Sequence, residues 1–142
     1  MDKTEQELAG TRLDPRRART GMRAASQPRL DDAASVVRDF NAAWNDHDLA
    51  AALALTSDDC VFEATSPAPD GQRHVGHAAI GIAWKPIFDD VMSRFTVEDS
   101  FTAGDRVVQR WRYEWDDGHV RGIDVFTVKD GKVTEKIAYV KG

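Results

Sequence analysis

The 142-residue chain is poor in the residues that build rigid chemical sites, with one cysteine, Cys60, and four histidines. A single cysteine excludes an internal disulfide framework and any metal site made of cysteine alone. No apolar run reaches the roughly 20 residues of a membrane-spanning helix. The chain has no glycine-rich phosphate loop and no His-Glu-x-x-His pattern. It also lacks a positive balance. Nineteen Lys and Arg against 24 Asp and Glu leave a net charge of −5, and a dedicated nucleic-acid binder needs a basic footprint. These absences set the expectations: no cofactor, no metal, no nucleic-acid partner, no membrane span, and a cytoplasmic location. What is present, 42% hydrophobic and 30% charged residues, is the balance of one globular domain.

Charge and apolar residues are unevenly distributed. Residues 1–30 hold seven basic and four acidic side chains, a net +3, which leaves −8 for the 112 residues that follow. This segment has no aromatic residue and no clustered aliphatics. It cannot bury enough apolar surface to offset its chain entropy, so a flexible, solvated basic tail is expected over 1–30 and a folded domain over 31–142. Arg16-Arg17 does not make a twin-arginine export signal, because no apolar stretch follows. A transit peptide, or a basic tail touching an acidic partner, are the alternatives.

Apolar residues at Val36, Val37, Phe40 and Trp44 repeat at helical spacing behind Asp31-Asp32, which suit a helix start. A shorter helix is expected from about Asp48 to Leu55, a turn at Ser57-Asp58-Asp59, and strands over Cys60–Ala64 and Arg73–Val75. Gly76-His77 opens a third helix to about Asp90, with a kink or break at Pro86. Strands follow over Arg94–Ala103, Arg106–Trp115, Val120–Val128 and Lys132–Val140, with turns at Asp117-Gly118 and Asp130-Gly131. The order α-α-β-β-α-β-β-β-β describes an α+β domain with helices against one face of a strongly bent sheet.

A two-residue turn at Asp117-Gly118 would pair Trp115 with Val120, Trp111 with Asp124 and Gln109 with Phe126. Side chains two apart share a face. One face then holds Val107, Gln109, Trp111, Tyr113, Trp115, Val120, Gly122, Asp124 and Phe126, and the other holds Arg110, Arg112, Glu114, Arg121, Ile123 and Val125. The aromatic face must meet the helices, and Asp124 is a carboxylate in the middle of it. An ionised carboxylate there is costly, so Asp124 is a candidate to exchange a proton, as base when charged or hydrogen-bond donor when neutral. The alternative is that Asp124 pairs with a nearby Arg or backbone amide and does no chemistry.

The helix-helix-strand opening, the helix start Gly76-His77-Ala78-Ala79-Ile80, and Gly122-Ile123-Asp124-Val125-Phe126 followed by Asp130-Gly131-Lys132-Val133 resemble the nuclear transport factor 2-like superfamily. That group includes ketosteroid isomerases, limonene-type epoxide hydrolases and polyketide cyclases. The resemblance covers about residues 31–142. It implies a cone-shaped, curved mixed or antiparallel sheet wrapped by three helices, with an apolar pocket lined by Phe40, Trp44, Phe62, Trp84, Trp111 and Phe126 around Asp124 and Tyr113. Plain core packing is the alternative for each aromatic. Residue by residue, the isomerase oxyanion tyrosine falls on Phe40, its aspartate base on Ala64, and its second oxyanion acid on Asp124. The epoxide hydrolase triad falls on Trp111, Tyr113 and Ala138 and is absent. The polyketide cyclase acid/base matches Asp124. Asp124 is therefore the surviving catalytic candidate, with Tyr113 as a hydroxyl partner.

Two function classes follow: a cofactor-free acid/base enzyme (isomerase, cyclase or related proton transfer) acting on a small apolar molecule, or a non-catalytic binding protein with Asp124 as polar anchor. The resemblance also implies a homodimer through the outer sheet face. Its register places Ala138 and Val140 on the pocket side of the last strand, which calls for a three-residue turn with a bulge at Gly131. A plain two-residue turn would place Ile137 and Tyr139 there. His77 is read as helping to start its helix, His47 and His119 as loop and turn residues, and Cys60 as a buried apolar residue.

Overall fold

The computed structural model describes residues 32–142; the expected tail over 1–30 lies outside the described residues. Helix α1, Ala33–Asn45, starts where Asp32 accepts a hydrogen bond from the Ala34 amide. It turns Val36, Val37, Phe40 and Ala43 inward at spacings of three and four. Asp48 caps α2, Leu49–Ala54, by accepting from the Ala51 amide at 3.0 Å. Strands β1, Thr56–Glu63, and β2, Arg73–Val75, precede α3, His77–Asp89. Strands β3, Arg94–Ala103, β4, Arg106–Trp115, β5, Gly118–Lys129, and β6, Lys132–Val140, complete the chain. Among the described residues no helix is long and apolar enough to cross a membrane.

The expected α+β order is the one found. The six strands form one open mixed sheet in the order β2-β1-β6-β5-β4-β3, with β1 parallel to β6 and the other neighbours antiparallel. Irregularities in the ladders of β1, β3 and β6 bend it. The helices cover the concave face, and Phe40, Trp84 and Phe126 meet there edge to face, with Phe40 5.6 Å from each of the other two rings.

Three local expectations need correction. Ser57-Asp58-Asp59 is not a turn but lies within β1, in the irregular stretch between its pairings with β6 at Thr56↔Val133 and Val61↔Glu135. Pro86 does not break α3, which runs on to Asp89. α3 opens at His77 behind the cap residue Gly76, as expected, and the His77 ring bonds the Thr56 carbonyl at 3.1 Å. The β4–β5 hairpin turns at Asp116-Asp117, so Trp115 pairs with Gly118, Trp111 with Gly122 and Gln109 with Asp124.

That last difference has a packing cause. Both tryptophans of β4 lie opposite a glycine of β5. A Cβ on Gly118 would sit 2.9 Å from the Trp115 ring, and one on Gly122 would collide with the Trp111 ring and the Tyr139 carbonyl. The indoles therefore occupy space that only glycine leaves free. The pairing moves by two residues in total, so every side chain keeps its expected face.

At the second hairpin, Lys129 pairs with Lys132 around a two-residue turn whose Asp130 and Gly131 have φ of 53° and 75°, as a type I′ turn requires. The three-residue turn is thus corrected. Its consequence for facing is retained at Ala138, though not shown at Val140, which is 41% exposed, because the ladder shifts between Val128↔Val133 and Thr127↔Glu135 and leaves Thr134 as the extra residue. Ala138 faces the helices, and Tyr139 points outward and is 59% exposed.

Candidate active site

Asp124 lies at the centre of β5, 1% exposed. It is not the solitary carboxylate expected from the face pattern. Directly opposite on β4, Gln109 donates from Nε2 to Asp124 Oδ2 at 3.1 Å. Diagonally across on β6, Lys136 donates from Nζ to Asp124 Oδ1 at 3.3 Å. Gln109 is itself held by Asn41 of α1, which donates to its Oε1 at 2.8 Å and accepts from its Nε2 at 3.2 Å. Four side chains from four elements thus join into one network, buried at Asp124, Gln109 and Lys136 and half-buried at Asn41. A buried charge without such partners would cost several kcal/mol, about 3–5 where one member of an ion pair is removed.

Lys136 was not among the expected site residues. It shares its face with Ala138, two positions on, so the register that turned Ala138 inward also turned Lys136 inward. Its ammonium lies 5.0 Å from the Trp44 ring centre, 5.1 Å from Phe62 and 5.9 Å from Phe126. Three aromatic faces and one carboxylate therefore surround a cation that is 7% exposed.

Asp124 and Lys136 line a cavity of about 410 Å³ between the helices and the sheet. Its walls come from Trp44 of α1, Phe62 of β1, Ala83 and Ile87 of α3, Phe95 of β3 and Trp111 of β4. The exposed Ser66, Pro67 and Gln72 mark where it meets solvent. His74 also contributes to the lining and stacks on Phe62 at 5.7 Å. Ala64 lines it at the position where a carboxylate base would have been required for the isomerase set. A larger depression, about 580 Å³, lies on the outer sheet face among Arg110, Arg121, Ile123 and Tyr139. It holds an exposed Arg121–Glu98 ion pair and no buried polar side chain, so the smaller, inner cavity is the better place for chemistry.

Of the aromatic residues expected around the pocket, Trp44, Phe62 and Trp111 line the cavity, as does Tyr113. Phe40, Trp84 and Phe126 are at most 1% exposed and form the aromatic layer behind the lining. Tyr113 and Asp124 share the cavity without touching. Tyr113 pairs with Val120, four positions from Asp124 along β5, or about 14 Å at strand spacing. Two buried indole N–H groups, those of Trp84 and Trp111, have no hydrogen-bond acceptor among the described residues. Cys60, fully buried, has its thiol pushed up to about 12, first by burial and then by the nearby Asp59 carboxylate, which leaves it a poor nucleophile. Among the described residues no cluster of His, Cys, Asp and Glu could hold a metal ion.

No curated protein matches the chain. A solved NTF2-like protein of unknown function from Mesorhizobium loti is 42% identical, covering 82% of this chain and 97% of its own, with a TM-score of 0.72. A Mycobacterium tuberculosis protein in complex with estradiol-17beta-hemisuccinate is 25% identical, covering 75% and 92%, with a TM-score of 0.65. A computationally designed 17-OHP binder is also 25% identical, covering 77% and 90%, with a TM-score of 0.67. The SnoaL-like domain family matches residues 37–136. With the helix-covered bent sheet around it, that match means the chain belongs to the SnoaL-like family of NTF2-like proteins.

Proposed function

We propose that the cavity binds a small, largely apolar carbonyl compound and that Asp124 moves a proton on the carbon next to the carbonyl, with no cofactor. The observation that carries this reading is the buried Asp124 carboxylate on the lining of an aromatic-walled cavity. A base enclosed by apolar walls meets its substrate without competing water, and Gln109 and Asn41 hold its carboxylate in one orientation. The steroid ligands of two similar proteins support a ring-containing ligand. In this reading Trp44, Phe62 and Trp111 contact the ligand, Phe40, Trp84 and Phe126 hold those walls in place, and the Tyr113 hydroxyl meets the ligand away from Asp124. Two copies pair through the outer sheet face, where Ile123 and Tyr139 are exposed; sedimentation of a monomer at micromolar concentration would remove that part.

A second reading, a non-catalytic binding protein, is favoured by one specific observation: both Asp124 oxygens already accept hydrogen bonds. Exchange in D₂O separates the two. With 2-acetylnaphthalene as probe, the protein should speed loss of the methyl protons next to the carbonyl, followed by NMR. Asp124→Asn should lower that rate by about 10²-fold, the usual scale of one general base. A ketone that binds yet exchanges at the buffer rate would leave the binding reading in place of the enzymatic one.

A further inference from the structure

We infer that Lys136 is the group that reads the ligand's polar end, its ammonium hydrogen-bonding a carbonyl oxygen beside Asp124. The inference rests on the cavity reading above and adds a residue and a selection rule to it. A lysine ammonium has three N–H donors and no acceptor. One is directed to Asp124 Oδ1 at 3.3 Å, and among the described residues no second acceptor is within reach. The rest of its surroundings are the faces of Trp44, Phe62 and Phe126, which attract a cation but do not replace a hydrogen bond. Lys136 is nonetheless buried and lines the cavity. The shortfall at Lys136 is of acceptors, so a ligand that completes its hydrogen bonding must bring an acceptor atom. Unsatisfied buried donors are costly, and hydrogen bonds to charged groups are the stronger kind.

Charge selects among acceptors. Lys136 and Asp124 together are neutral, so a neutral carbonyl leaves the enclosed site neutral, whereas a ligand carboxylate would leave it with an uncompensated negative charge. The same balance holds through the proposed step. The α-carbon's proton passes to an Asp124 oxygen, the C–H electron pair becomes the new C=C bond, and the carbonyl π pair moves to oxygen. One negative charge leaves the carboxylate and appears on the enolate oxygen, and the Lys136 ammonium faces it in both states. Lys136 is thus placed to stabilise charge where it develops.

The test compares 2-acetylnaphthalene with 2-ethylnaphthalene, which has a similar shape and no acceptor. The full-length protein should bind both, and the ketone-to-hydrocarbon affinity ratio should fall about tenfold or more in Lys136→Met, as loss of a hydrogen bond to a charged group implies. The carbonyl stretch of the bound ketone should lie lower with the unsubstituted protein than with the variant. Because Lys136→Met leaves Asp124 buried without its cation, the paired substitution Lys136→Met with Asp124→Leu serves if the single variant does not fold, and it should lose the same ratio. Asp124→Asn keeps Lys136 and should keep both the ratio and the low stretch while losing proton exchange. An unchanged ratio and stretch in the Lys136 variants, with both probes bound, overturns the role of Lys136 and leaves the cavity reading standing. Failure of both probes to bind the unsubstituted protein overturns the cavity reading and this inference with it.

Discussion

Arg121 and Asp124 lie three positions apart on β5, and each takes part in an ion pair, on opposite faces of one sheet. Arg121 meets Glu98 on the outer face at 3.1 Å, with side chains 46% and 27% exposed. Asp124 meets Lys136 on the inner face at 3.3 Å, with side chains 1% and 8% exposed. The distances are nearly equal and the consequences are not. Water and salt screen the outer pair, and either partner alone would be well solvated. On the inner face neither partner has that fallback, so the pair must be complete, and Gln109 and Asn41 fix its geometry. The lesson is that a charge pair's contribution depends on which face of the strand it occupies, which on β5 changes with every residue.

The largest effect should come from splitting the inner pair. Lys136→Met should destabilise the fold by about 3–5 kcal/mol, because it strands a buried carboxylate. Replacing both partners, Lys136→Met with Asp124→Leu, should recover most of that loss. Urea unfolding measures both, and a double variant no more stable than the single one would break the claim that pairing, rather than volume, matters there.

Next in size, Gly122→Ala should cost about 1–3 kcal/mol, the range for overpacking, since its methyl would meet the Trp111 ring and the Tyr139 carbonyl. The Trp111 ring would have to shift, so the fluorescence of the folded state should change together with the denaturation midpoint. Gly104 is the wrong control. Nothing lies within 4 Å of where its methyl would stand, but its φ of 61° is strained for any side chain.

A smaller effect concerns pH. Burial raises the inner-face Cys60 thiol to about 12, above its ordinary value. Between that ordinary value and about 12 the folded state holds a proton that the unfolded state has released, so stability should fall as pH rises through this window. The native thiol should resist alkylation at a pH of about 9, near the ordinary thiol range, and react quickly once urea is added. Rapid labelling of the folded protein at that pH would show that the inner face is open to solvent at β1.

The smallest effect should follow Arg121→Ala. The Arg121 hydrogen bond and charge hold the Glu98 carboxyl below its ordinary value. The pair's contribution is therefore present at neutral pH and lost as pH falls through that lowered value. Because both groups are solvated, the melting temperature should hardly move. A loss comparable to that of Lys136→Met would erase the contrast between the two faces.

Much of this contrast was legible in the strand pattern. Period-two alternation assigned Asp124 to the aromatic face and Arg121 to the other, and it survived a hairpin paired two residues away from expectation. The cue to the true pairing was present too: Trp111 and Trp115 are four apart, as are Gly118 and Gly122, and each indole lies over one glycine. Lys136 was hidden by its type. Inward parity applies to it as it does to Ala138, but a lysine is seldom buried, so its residue type gives no cue to an inward position. Phe40, Trp84 and Phe126 show a different limit. Alternation and helical spacing assign a face, and they do not say whether a ring on that face lines a cavity or backs another ring.

By itself the sequence determined the α+β order, the sheet's two faces and the placement of one carboxylate among aromatics, because these depend on local periodicity and turn chemistry. Tertiary structure decided the rest. Which residue stands opposite Asp124 depends on how bulky rings pack over bare glycines. Which cation reaches it depends on one extra residue, Thr134, in the β5–β6 ladder. Both are properties of strands brought side by side, where a contact is set by register between segments and not by spacing within one.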